Sequence, residues 1–192
     1  MNLVLGSSSP LRKAQLAKLQ IDFETCSHAI DETRKADESP ADLVQRLSEA
    51  KAKEVAKQYP HHLVIGSDQV AVFGEDILGK PGNHQNAIKQ LTSFSGQSVQ
   101  FFTGLCLINS DTGNLQYHQD TTRVNFRDLS AAQINNYLLK DKPYQCAGSF
   151  RSEDLGCALF KSVESKDPNA LIGLPIIKLI GMLANEGIDI LG

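Results

Sequence analysis

The sequence predicts an α/β protein built on a mixed, twisted sheet with flanking helices. Short apolar runs that read as strands alternate with stretches of helical apolar spacing. Two long runs around one polar turn read as an antiparallel hairpin inserted among them, so the sheet is mixed. The length, 192 residues, suits a single domain spanning 1–192, whole or split into two lobes.

Taken in order, Leu3 to Leu5 is a short strand, followed by Gly6-Ser7-Ser8-Ser9 and a helix from Pro10 to about Gln20. Ser9 is a good N-cap and Pro10 a good first helical residue, because the N–H it lacks would be an orphan there. Ser39-Pro40 repeats that signal, and Leu43, Val44, Leu47, Ala50 and Val55 mark an amphipathic helix to about Tyr59, with Lys51 inside its apolar stripe. Leu63-Val64-Ile65 reads as a buried strand ending at Gly66-Ser67-Asp68-Gln69, before a second apolar stretch from Val70 to Phe73. Asn83 caps a helix carrying Ala87, Ile88, Leu91 and Phe94, with Gly96 as its stop. Val99–Asn109 and Leu115–Phe126 form the hairpin, and Ser130 with Gln133 makes a capping box for a helix to about Leu139. Leu155 to Phe160 reads as a strand. Leu174-Pro175 leads into a last helix with Ile176, Ile177, Leu179, Ile180 and Leu183 inward and Gly187 ending it.

With 41% hydrophobic and 21% charged residues, the composition excludes disordered and fibrous classes. The net charge of -3 argues against nucleic acid as a partner, since duplex binding would need a local basic patch. No apolar run approaches the roughly 20 residues of a membrane span, and the start MNLVLGSSSP lacks the charged and apolar regions of a signal peptide. The expectation is a cytoplasmic protein with no membrane partner. Four separated cysteines, with no CxxC spacing, read as reduced thiols, and five histidines with no ligand spacing read as surface or packing residues.

Four features could carry chemistry. At Gly6-Ser7-Ser8-Ser9-Pro10 with Arg12, N–H groups, hydroxyls, a helix N-terminus and a planar guanidinium converge, as an anion site requires. The plainer alternative is a capped helix beside a solvated arginine. Lys51 in its apolar stripe either snorkels to the edge or faces an internal anion. Asp68, carried into a loop at the end of a strand, stands where open α/β sheets place metal ligands and general bases, or else forms a turn. Asp31-Glu32 supplies a second acidic pair, and two carboxylates from separate segments could share a divalent cation, the usual partner of a triphosphate. Gly74 to Lys80 matches GxxxxGK, but Pro81 stands where a P-loop needs Ser or Thr and a continuing helix, so the match is rejected. Lys80 remains a further cation. Together these residues suggest a metal-dependent enzyme acting on a phosphorylated small molecule.

The ordered segments LGSSSPLRKAQL, IDET, RLSEAKA, VIGSDQV, GKP, FTGL, AGSF and IGLP resemble the Maf family of nucleoside triphosphate pyrophosphatases along essentially the whole chain. The resemblance implies a fold like that of inosine triphosphatase, two lobes around a cleft, usually in a homodimer. It implies hydrolysis of a nucleotide substrate to monophosphate and diphosphate with a divalent cation, Mg, Mn or Co. It assigns phosphate contacts to Ser7, Ser9, Arg12, Lys51 and Lys80, a metal-site role to Glu32 and Asp68, and the general base to Asp68 as well. Leu11, Gln69 and Glu153 occupy the positions that separate branches. Gln69 and Glu153 are similar to the branch acting on 7-methyl-GTP, whereas Leu11 departs from the Trp often found there. A carboxylate such as Glu153 suits a 7-methylguanine ring, which is cationic and presents two adjacent N–H donors. The alternatives are a pyrophosphatase for dTTP, UTP or another modified nucleotide, or a nucleotide-binding regulator of septum formation with little catalysis.

Overall fold

A computed structural model describes residues Met1–Gly192. Seven strands form one mixed sheet, in the order β2-β1-β3-β5-β6-β7 with β4 paired to β3, and five α-helices accompany it. The chain divides into two compact units, Met1–Gln69 with Thr103–Asp120 and Asp167–Gly192, and Val70–Phe102 with Thr121–Lys166.

In the first unit, β1 (Asn2–Leu5) lies parallel to both β2 (Phe23–Thr25) and β3 (His62–Phe73), with Leu5 opposite Thr25 and Ile65. Successive strand side chains point to opposite faces, so the sheet buries two cores. Leu3, Leu5, Leu63, Ile65, Leu105 and Leu107 pack with Leu16 of α1 (Pro10–Ala17) and with Leu179 and Leu183 of α5 (Ile176–Asn185). Val4, Val64, Cys106 and Ile108 pack with Ala52 and Val55 of α2 (Pro40–Ala56). Strands buried on both faces explain why the sequence shows continuous apolar runs there rather than alternation.

In the second unit β3 turns at Gly74, φ +61, into β4 (Asp76–Leu78), so the GxxxxGK segment is a hairpin and no helix follows Lys80 until α3 (His84–Phe94). The hairpin strands β5 (Ser98–Asn109) and β6 (Leu115–Phe126) pass through both units. The core of the second unit is aromatic. Phe126 and Phe150 lie edge to face with Phe160, and Phe94, Phe73 and Phe101 extend the cluster at centroid separations of 4.8 to 5.7 Å. The capping box of α4 (Ala131–Asp141) is formed as expected from Ser130 and Gln133, and β7 (Phe160–Glu164) completes the sheet against β6.

The structure corrects the expectations at several points. The strand from His62 does not end at Gly66–Gln69 but runs unbroken to Phe73, so Asp68 stands inside a strand rather than in a loop. Residues 155–159 are not a strand: after a turn in which the Arg151 carbonyl accepts from the N–H groups of Asp154 and Gly156, Leu155–Leu159 forms a 3-10 helix, closed by the Phe160 N–H donating to the Cys157 carbonyl, and pairing begins only at Phe160. In α5, Ile176, Leu179, Met182 and Leu183 face inward, whereas Ile177 and Ile180 are exposed. The first two helices end a few residues early, and the three-residue strands β2 and β4 were too short to read. No helix is long and apolar enough to cross a membrane.

Two glycines set how closely α2 sits on the sheet. A Cβ on Gly66 would lie 2.2 Å from the Ser48 carbonyl oxygen, and one on Gly104 would lie 2.6 Å from a methyl of Val44. Gly66→Ala is therefore expected to destabilise the protein by about 2 kcal/mol or more, because the obstruction is helix backbone that cannot rotate aside. Urea denaturation measures this, and an unchanged midpoint would show that α2 lifts without cost.

Candidate active site

The period of two in β3 sends Asp68 and Gln69 to opposite faces of the sheet. Asp68 joins Val64 and Gly66 on the α2 face, where the missing Gly66 side chain lets the helix come close enough for its polar groups to serve the strand. Ser48 of α2 donates its hydroxyl to the Val44 carbonyl and accepts from the N–H of Asp68 at 3.0 Å. One turn on, the buried Lys51 Nζ donates to Asp68 Oδ1 at 2.6 Å and pairs with Glu32 Oε1 at 3.0 Å. Of the two alternatives the sequence left open, Lys51 thus faces internal anions. A buried ammonium is stable when its donors meet charged acceptors, and here one cation gathers two carboxylates from separate segments.

Glu32 itself is half exposed, on a loop held by a second ion pair. Arg46 of α2 grips Glu38 with two bonds, from Nε at 2.6 Å and Nη2 at 2.9 Å, and also donates to the Thr33 carbonyl. These bonds hold the Glu38 carboxyl down at about 2, so the staple stays charged through neutral and mildly acid pH. Asp31 does not join Glu32 at the cluster, since its Oδ1 accepts from the Thr33 N–H and its side chain is exposed.

Ser7 and Ser9 build the turn into α1. Ser7 Oγ accepts from the N–H of Ser9, and Ser9 Oγ caps the helix by accepting from the N–H of Arg12. Arg12 donates Nε to the Gly173 carbonyl at 2.9 Å, which leaves its two terminal nitrogens to meet an anion. Burial pulls its guanidinium below the ordinary value while Asp68 and Glu32 pull it back, which places Arg12 in the field of both carboxylates. Leu11, in the same first turn, is half-buried. Gln69, on the other face, gives its amide nitrogen to Thr103 Oγ1 and to the carbonyls of Ala170 and Leu171, at 2.9 to 3.1 Å.

Lys80 and Glu153 belong to the second unit, and both are exposed. Burial raises the Cys146 thiol pKa, Glu153 raises it further and Lys80 lowers it, so the carboxylate and the ammonium share one neighbourhood. The loop bearing Glu153 is fixed at Arg151, whose Nη2 donates to both the backbone carbonyl and Oδ1 of Asp141. The other oxygen of Asp141 accepts from the Tyr137 hydroxyl. Gly156 closes the loop where no Cβ fits against the Arg151 backbone.

Several of these residues escaped the sequence reading. Asp141, Arg46 and Glu38 look like ordinary surface charges, and only their long-range pairing gives them a role. His28, by its spacing a surface or packing histidine, has its pKa pulled down by burial and by Lys51; Glu32, Arg12 and Asp68 also act on it, and its Nδ1 is buried without a hydrogen-bond partner. It belongs to the same charged neighbourhood.

The donor set fits a hard divalent cation. Glu32 and Asp68 present carboxylate oxygens to one point now served by Lys51, and no group of three or more His, Cys, Asp or Glu side chains offers an all-protein cage. One or two carboxylates completed by water and substrate phosphate is how Mg²⁺ is commonly held.

Residues 2–186 match the family described as Maf-like protein. A protein of Colwellia psychrerythraea named 7-methyl-GTP pyrophosphatase is 52% identical over 189 residues, covering 98% of this chain and 94% of the relative. One of Vibrio vulnificus with the same name is 53% identical over 190 residues, covering 99% and 97%. The solved Staphylococcus aureus Ham1 protein shares the fold, with a TM-score of 0.56 at 13% identity, over 97% of this chain and all of that one.

Proposed function

The chain belongs to the Maf-like protein family, and from that premise we propose that it hydrolyses 7-methyl-GTP to 7-methyl-GMP and diphosphate. The observation that carries the chemistry is the bridging of Asp68 and Glu32 by the buried Lys51, with Arg12 in the field of both carboxylates. Water attacks the α-phosphorus, its proton passes to Asp68, and the bond from that phosphorus to the bridging oxygen breaks, so diphosphate leaves with the electron pair. Arg12, Lys51 and Lys80 meet phosphate charge, and Ser7 and Ser9 shape the turn that receives it. A divalent cation held by Glu32 and Asp68 would neutralise the triphosphate and charge developing on it. The carboxylate of Glu153 accepts from the N–H edge of the methylated ring and balances its positive charge, while the Gln69 amide and Leu11 complete the reading of the base.

A nucleotide panel tests this. With Mg²⁺ or Mn²⁺ present, 7-methyl-GTP is expected to release diphosphate far faster than GTP, dTTP or UTP, with GTP the nearest competitor because it keeps the N–H edge without the charge. Glu153→Gln is expected to cost about 1 to 3 kcal/mol in kcat/KM for 7-methyl-GTP and little for UTP. Equal kcat/KM for UTP and 7-methyl-GTP in the wild type would defeat the base assignment and leave the pyrophosphatase standing. No release from any nucleotide would favour a binding regulator.

A further inference from the structure

The segment from Asp167 to Pro175 carries none of the residues assigned to chemistry, yet both sides of the site rest on it. Its carbonyls point back to the sheet. Ala170 accepts from Gln69 Nε2 and from the Thr103 hydroxyl, Leu171 accepts from Gln69 again, and Gly173 accepts from Arg12 Nε and from the Ser67 hydroxyl. Three oxygens around the Gln69 nitrogen fix which way the amide lies, and they turn its Oε1 away from the loop. The same segment therefore orients a base-reading acceptor through the carbonyls of Ala170 and Leu171 and a phosphate-holding guanidinium through that of Gly173.

One buried carboxylate secures the segment at both ends. Asp167 Oδ1 accepts from the N–H of Asn169 at 2.9 Å and from its side-chain amide at 2.8 Å. Oδ2 accepts from the N–H of Ile177 at 2.7 Å, in the first turn of α5. That helix begins after Pro175 with no side-chain cap of its own, so Asp167 supplies the missing cap and the negative charge a helix N-terminus favours. Between these anchors Gly173 adopts φ +113, and a Cβ there would come within 3.4 Å of Arg12 Nε.

We propose that Asp167 is a positioning residue: by pinning the Asp167–Pro175 loop at both ends, it orients Gln69 toward the base and Arg12 toward the phosphates, coupling base recognition to catalysis. The proposal rests on the reading of the chain as a nucleoside triphosphate pyrophosphatase, and its test separates the two. Asp167→Asn keeps the size of the side chain but replaces one acceptor with a donor, releasing one anchor. The variant is expected to lose about tenfold in selectivity for 7-methyl-GTP over UTP through the Gln69 arm, together with a severalfold rise in KM for both nucleotides through the Arg12 arm.

A double-mutant cycle on the selectivity ratio decides the matter. In a Gln69→Ala background, Asp167→Asn should change selectivity less than about twofold, since the amide it orients is gone. Multiplicative losses of selectivity, or a lowered Tm with selectivity unchanged, would overturn the proposal and leave Asp167 as a helix cap. Asn169→Ala, which removes one donor to Asp167 and leaves the α5 cap, gives the same cycle at smaller amplitude if Asp167→Asn fails to fold. If the wild type does not prefer 7-methyl-GTP, the base assignment fails on its own, and the cycle is run on the two nucleotides the panel separates most. If nothing is cleaved, it is run on their binding affinities.

Discussion

Asp68→Asn is expected to lower turnover by about a hundredfold or more, the loss that follows removal of a positioned general base, while nucleotide binding survives. The amide preserves the shape of the side chain. Its oxygen still accepts from Lys51 Nζ, now 2.6 Å from Asp68 Oδ1, and Glu32 remains 3.0 Å from the same ammonium, so the buried cation keeps a counterion. What the substitution removes is the capacity to take a proton from water and half of the charge offered to a divalent cation. Single-turnover kinetics with 7-methyl-GTP, binding of a non-hydrolysable analogue and a urea melt together separate these effects. Near-normal turnover in the folded variant would confine Asp68 to holding Lys51 in place.

Features that depended on local chemistry were legible before the structure. Ser9, Ser39, Asn83 and Ser130 each cap the helix that follows, because a short polar side chain meeting a free N–H three residues on is decided within one turn. The polar stretch Gly66 to Gln69 misled for a complementary reason. Strand pairing is settled by partners far from these residues: β1 pairs with residues 62–65 and β4 with residues 71–73, before and after the stretch that looks like a break, and β5 is the strand's other neighbour. Lys51 showed its anomaly in the sequence, a charge in an apolar stripe, but not the counter-charges, which lie 17 residues ahead of it and 19 behind. Asp167 gave no sign at all. Asp-Pro-Asn reads as a turn, and only three converging N–H donors reveal the carboxylate as an anchor. The outward placement of Ile177 and Ile180 was equally hidden, since a helix that is apolar nearly all round does not declare its buried face.

The other large effect is expected at Arg12. Arg12→Ala should lower kcat/KM by about a hundredfold for every nucleotide cleaved, because the guanidinium acts on charge that all triphosphates share and not on the base. Arg12→Lys should recover little of that loss. In the native protein Nε is committed to the Gly173 carbonyl, so the remaining fork is held in a fixed plane with two donors to spare. A lysine has one nitrogen for both tasks: it can satisfy the carbonyl or reach the phosphate, and neither choice reproduces two parallel bonds to phosphate oxygens. The carbonyl that either variant can leave unserved lies in the segment that also orients Gln69, so both should show a modest loss of base selectivity on top of the uniform loss. Steady-state kinetics on 7-methyl-GTP, GTP and UTP, with thermal melts to establish folding, measure both components. A loss confined to one base in Arg12→Ala would contradict the assignment of this cation to phosphate, and full activity in Arg12→Lys would show that charge alone suffices there.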